Sequence, residues 1–168
     1  MALNLKKIVF PLVLALLLGG LAFTLLSKDE APPVAFTTIT GQKIELQQLR
    51  GKMVLVNFWA TSCPGCVQEM PKLSDTYKAY HDKGFEIVAV AMDYDPPDHV
   101  LHFADKNKLP FAVALDADGS LAKAFGDVQV TPTSYIIDQQ GHIVQRVMGE
   151  VNFVTLKSLL DQKLKGSA

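Results

Sequence analysis

Met53-Val54-Leu55-Val56-Asn57-Phe58-Trp59-Ala60, followed at once by Thr61-Ser62-Cys63-Pro64-Gly65-Cys66, is the stretch that decides the fold. Its first part is an apolar run rich in Val and aromatic residues, which predicts a buried central strand. Residues 63–81 predict a helix: Val67, Met70, Leu73 and Tyr77 recur at helical spacing and Gly84 lies beyond the end. Pro71 predicts a kink within it, because proline lacks the backbone donor and crowds the preceding turn. The two thiols therefore fall where strand gives way to helix, and there the free amides and the positive dipole end favour a thiolate. Cysteines in such a setting have pKa values of about 3.5 to 7.5, against about 8.5 for a free thiol. With two residues between them a disulfide closes within one turn, so Cys63 can attack a partner disulfide and Cys66 can resolve the mixed disulfide.

Two plainer roles compete for the pair. Half a zinc site is one, but there is no second cysteine pair, and His81, His99, His102 and His142 stand at unmatched spacing. An inert structural disulfide is the other; it would close a very short loop and restrain the unfolded chain little. We expect no metal and no cofactor. The whole chain narrows the field in the same direction. Its 168 residues fit one compact domain plus an appendage, and 49% apolar content with a net charge of -1 excludes a disordered chain. The near-neutral balance, with no basic stripe, leaves no footprint for nucleic acid. Two cysteines cannot form the scaffold of a small disulfide-stapled domain.

Upstream, Lys6 and Lys7 precede a charge-free run from Ile8 to Leu26, closed by Ser27-Lys28-Asp29-Glu30. The run has the length that spans a bilayer core, about 20 residues. Its flanking charges place the amino terminus inside and the body outside the membrane, so residues 1–30 are expected to be a membrane anchor or signal sequence. Retained, it makes the protein single-pass in a bacterial cytoplasmic membrane with its catalytic domain in the periplasm. The competing expectation is a signal peptide cleaved near Gly20-Leu21-Ala22, leaving a soluble periplasmic protein.

After the spacer Ala31-Pro32-Pro33, residues 34–165 read as one domain. Val34 to Ile44 predicts a hairpin around Thr40-Gly41-Gln42, and Phe85 to Met92 a second buried strand. Asp95 is expected to N-cap a helix that opens at Pro96 and runs to about Asn107. A short strand at Phe111 to Leu115 and a brief helix between Asp118-Gly119 and Gly126 follow. Tyr135 to Asp138 and Ile143 to Met148 form a hairpin, and a last helix opens at Asn152, burying Phe153, Leu156, Leu160 and Leu164. The expected fold class is α/β, a mixed sheet covered on both faces.

Val54 to Pro71, with Asn-Phe-Trp-Ala-Thr before the Cys-x-x-Cys pair and Glu69-Met70-Pro71 after it, resembles the membrane-anchored TlpA-like branch of the thioredoxin superfamily. Gly51-Lys52, Thr131-Pro132 and the Asp138 to Gly141 turn extend the resemblance over the body. It implies a thioredoxin fold with an N-terminal β-hairpin extension and an inserted strand-helix unit within residues 93–126. It also implies thiol-disulfide exchange, commonly as a reductase, with relatives that serve cytochrome c maturation. By the same resemblance Cys63 attacks and Cys66 resolves, Pro132 is a cis-proline facing the dithiol, and the backbone of Thr131 pairs with an extended substrate. Glu69 is the acid near the dithiol, since Asn57 holds the strand position at which thioredoxins proper carry one. Trp59 is placed with Thr131 and Pro132 in the substrate-binding set, its alternative being a core aromatic. Ser62 departs from the branch, which usually has tryptophan there.

The expected function is a membrane-tethered periplasmic thiol-disulfide oxidoreductase that reduces protein disulfides, apocytochrome c among them. Its partners are then protein disulfide substrates, a transmembrane electron donor and the membrane, with no nucleic acid. The alternatives are a disulfide-forming oxidase on the same fold, a thiol peroxidase or a copper-delivery protein.

Overall fold

Strand β3 (Met53–Trp59) is buried along its whole length, and its side chains alternate between the two faces of a sheet. Met53, Leu55 and Trp59 enter one apolar cluster, while Val54, Val56 and Phe58 enter the other. The computed structural model describes residues 29–164, with Val13 alone upstream of them. Around β3 lies a five-stranded sheet of order β5-β4-β3-β6-β7, comprising β4 (Phe85–Ala91), β5 (Ala112–Leu115), β6 (Thr133–Ile137) and β7 (Ile143–Met148). β3, β4 and β5 are parallel, whereas β6 runs antiparallel to β3 and β7 antiparallel to β6.

Helices α1 (Pro64–Tyr80), α2 (Pro97–Asn107) and α4 (Phe153–Leu164) supply the first cluster through Met70, Leu73, Val100, Leu156 and Leu160. The other face is covered by α3 (Ser120–Ala124) and by a separate hairpin of β1 (Ala35–Thr37) and β2 (Lys43–Glu45), with Phe36, Leu46, Leu121 and Phe125 pointing inward. The hairpin and the α2–β5 unit are additions to a core of β3, α1, β4, α3, β6, β7 and α4. Thr38 bridges to Ala114 and the Ile39 amide donates to Val113, so the two additions touch.

Pro71, at which the sequence predicts a kink, lies inside α1, and the helix continues past it because flanking residues that pack on the sheet outweigh one missing amide donor. One local expectation changes. Asp95 is not the cap of α2: the helix begins at Pro97, its N-cap position is Pro96, and no side chain caps it. The Asp95 carboxylate is turned across to the loop before Cys63 instead. Asn152 does cap the last helix, accepting from the Val154 and Thr155 amides at 3.0 and 3.1 Å. Among the described residues no helix is long and apolar enough to cross a membrane. The charge-free run expected to form the anchor, Ile8 to Leu26, lies, apart from Val13, outside those residues.

Candidate active site

The parallel strand pair delivers the chain at Trp59 to the sheet end, and Cys63 is the N-cap of α1 with extended backbone. Its Sγ accepts the Cys66 amide at 3.2 Å, so the first sulfur stands among the unpaired amides of the helix start. Cys63 and Cys66 form a disulfide with Cα atoms 5.3 Å apart. The two sulfurs differ in access: Cys63 is partly exposed and Cys66 is buried. A large incoming disulfide can meet only the first, and the second is placed to complete the exchange from within. Pro132, in cis linkage to Thr131, and the partly exposed Thr131 lie in the loop before β6, which adjoins β3. The position of a Cβ on Gly65, between the cysteines, would be 3.8 Å from Pro132 Cδ, so the two loops meet over the dithiol. Among the described residues Thr131 makes no backbone hydrogen bond, which leaves its amide and carbonyl open to an extended chain.

Alternation along β3 turns Asn57 to the same face as Leu55 and Trp59, the face α1 covers. Glu69, one turn after Cys66, is fully buried there. Its Oε1 accepts the Val151 amide, and its Oε2 accepts Asn57 Nδ2 at 3.4 Å. Burial pushes the Glu69 carboxyl above its ordinary value, against the Val151 amide that favours the ionised form; the Glu150 carboxylate adds to the rise, and Asn57 and Lys72 oppose it. Asn57 Nδ2 also donates to Ser134 Oγ at 3.0 Å, while Asn57 Oδ1 is buried without a partner. A half-turn of the amide would present that oxygen to the same neighbours. Asn57 can thus donate to an ionised Glu69 or accept from a protonated one.

Trp59 is the correction among the expected site residues. Its ring is fully buried and packs against Phe103 with centroids 5.2 Å apart, so it supports the site from below and does not meet substrate. The exposed apolar surface comes from residues the sequence did not single out. Tyr94 is 58% exposed with its hydroxyl 3.3 Å from Thr131 Oγ1, Val130 precedes Thr131, and Met148 pairs with Thr133 in the sheet. Through Thr131 and Thr133 they flank the cis-proline loop. Glu150 was also missed: its Oε1 lies 3.6 Å from the position of a Cβ on Gly65. Nothing in its local sequence marks it, since only the return of β7 beside the proline loop brings it there. Among the described residues, no group of three or more potential ligands is arranged to hold a metal ion.

A dithiol at a helix start, one sulfur open and one buried beside an acid, on this sheet order, defines a thioredoxin-fold protein built for thiol-disulfide exchange. The chain belongs to the Redoxin family, whose sequence profile matches residues 26–160. It is 37% identical over 173 residues to the thiol-disulfide oxidoreductase ResA of Bacillus cereus, covering 95% of this chain and 96% of that one. The thioredoxin-like protein YneN of Bacillus subtilis is 36% identical, with 81% and 77% covered. Among solved structures, a thioredoxin-family thiol:disulfide interchange protein from Chlorobium tepidum superposes with a TM-score of 0.75 at 26% identity, over 82% of this chain and 97% of that one. The protein is a thiol-disulfide oxidoreductase of the TlpA-like kind.

Proposed function

We propose that the protein is tethered to the outer face of a bacterial cytoplasmic membrane, where it reduces protein disulfides, with apocytochrome c a substrate. The observation that carries the catalytic part is the unequal burial of the two sulfurs beside the buried Glu69. The Cys63 thiolate attacks one sulfur of the substrate disulfide, a mixed disulfide forms, and the other substrate sulfur leaves and takes up a proton. Cys66 then gives its proton to the Glu69 carboxylate and attacks the Cys63 sulfur. The Cys63–Cys66 disulfide closes, the second substrate thiolate leaves, and two electrons have passed to the substrate. Glu69, its carboxyl raised above the ordinary value by burial, suits that exchange of a proton with a thiol better than an exposed carboxylate would. Recharging requires two electrons from outside, which we assign to a transmembrane thiol donor, because export separates the protein from cytosolic reductants.

Two features support the tether. One is the charge-free run from Ile8 to Leu26. The other is the point where the described chain enters the domain: the Ile143 amide donates to the Asp29 carbonyl and Glu30 bridges to His142, at the turn between β6 and β7. That turn is at the sheet end where β3 starts, the end opposite the dithiol, so a tether there leaves the dithiol facing away from the bilayer.

The equilibrium reduction potential of the purified protein tests the direction of transfer. A value near the thioredoxin range, about -270 mV, fits a reductant; one near about -120 mV makes the protein a disulfide-forming oxidant and sinks the proposal. Fractionation of native cells tests the tether: alkaline extraction that leaves the protein in the pellet supports it, and release into the soluble fraction contradicts it.

A further inference from the structure

Asp95 follows β4 at the start of the added α2–β5 unit and is 4% exposed. A carboxylate that deep is costly unless its oxygens are occupied. Both are taken by a single residue: the Thr61 amide donates to Oδ2 at 2.6 Å and the Thr61 hydroxyl to Oδ1 at 2.5 Å. The fold forgoes a cap on α2 to make this contact, for no side chain caps that helix. Pro96 and Pro97 follow Asp95 and restrict the backbone that presents it.

Thr61 lies two residues before Cys63, in a loop whose other internal restraint is the Cys63 amide donating to the Ala60 carbonyl at 3.2 Å. Where that loop sits decides whether Cys63 Sγ stays over the helix amides, where it now accepts from Cys66. The neighbouring Tyr94 reaches the opposite loop through Thr131, so one dipeptide of the added unit touches both sides of the dithiol. We propose that Asp95, through its two hydrogen bonds to Thr61, is a positioning residue that holds Cys63 at the start of α1 and thereby sets its reactivity as the attacking thiolate. With the latch released, the sulfur spends less time over the amides and behaves more like a free thiol.

The test reads the pH dependence of Cys63 alkylation by iodoacetamide in the full, reduced chain, with the modified residue assigned by mass spectrometry. The titratable groups around the dithiol are Cys66 and Glu69 on α1, Asp95 after β4, the Tyr94 hydroxyl, and Glu150 after β7. Substitution at Thr61 changes none of them. Thr61→Val, which removes the hydroxyl at nearly constant shape, should raise the midpoint by about half a pH unit or more, a roughly threefold loss of rate below it. Thr61→Ser should restore the original profile. In an Asp95→Ala background, Thr61→Val should have no further effect, as a shared interaction requires. If Asp95→Ala does not fold, the two Thr61 variants decide. An unchanged midpoint in folded Thr61→Val overturns the proposal, and so does a shifted midpoint that serine fails to restore.

Discussion

Replacing Glu69 with Gln in the oxidised protein isolates the buried acid, because the disulfide-bonded Cys63 and Cys66 do not titrate. Glu69 has no solvent exposure, and its carboxyl lies above its ordinary 4.5, first through burial and then through the nearby Glu150 charge. The folded chain therefore holds this proton more tightly than the unfolded chain. Stability from Glu69 is complete below about pH 4.5 and is lost as the pH climbs through the raised folded value. The loss proceeds at up to about 1.4 kcal/mol per pH unit, the limit for one proton, and levels off above that value. The glutamine has the same shape, keeps an acceptor for the Val151 amide and does not titrate, so its stability lacks this slope. Urea unfolding of both proteins from pH 4 to 8 gives the difference directly. Wild type should lose ground steadily to Glu69→Gln as the pH rises and then run parallel to it. Curves that stay parallel throughout would refute the claim that burial controls this carboxyl.

Glu150→Gln removes a charge that raises Glu69, so the midpoint of that stability transition should move to lower pH, and by less in high salt because Glu150 is exposed. Trp59→Ala should cost about 3 to 5 kcal/mol in thermal or urea unfolding, as expected for a buried aromatic; lost turnover at unchanged stability would return Trp59 to the substrate surface. Asp138 is buried and pushed up by that burial, but the His142 and Gln140 amides outweigh this and hold its carboxyl below the ordinary 3.8. Its stabilisation is present above pH 3.8 and lost as the pH falls through the lowered value. Asp138→Ala should therefore destabilise by about 2 kcal/mol at pH 7, with the gap narrowing in acid; an equal gap at pH 2 would contradict it.

The strands and helices were legible where a single period ran uninterrupted. β3 and β4 follow their apolar runs, α4 its spacing of Leu156, Leu160 and Leu164, and the dithiol its place at a strand-to-helix boundary. Glu69 was named through the family resemblance, and its place one helical turn after Cys66 is what the local sequence adds. Asp95 was misplaced because Asp-Pro-Pro before a helix is a local capping signal, and what overrode it, the Thr61 loop, is 34 residues away in sequence. Glu150 and Tyr94 were invisible for a related reason: both lie in loops, and only the closure of β7 and the added unit around the dithiol gives them a role. Trp59 misled because tryptophan next to a reactive loop suits a rim as well as a core, and the cover that packs on both faces of β3 to its last residue puts it in the core.

The most direct measurement mixes reduced Cys66→Ser and, separately, reduced Cys63→Ser with a disulfide-bearing polypeptide and reads the adducts by intact mass. Cys66→Ser should accumulate a mixed disulfide through the partly exposed Cys63, and Cys63→Ser, left with the buried Cys66, should form almost none. Equal trapping by both variants, or none by either, would contradict the account of Cys63 as the attacking and Cys66 as the resolving thiol.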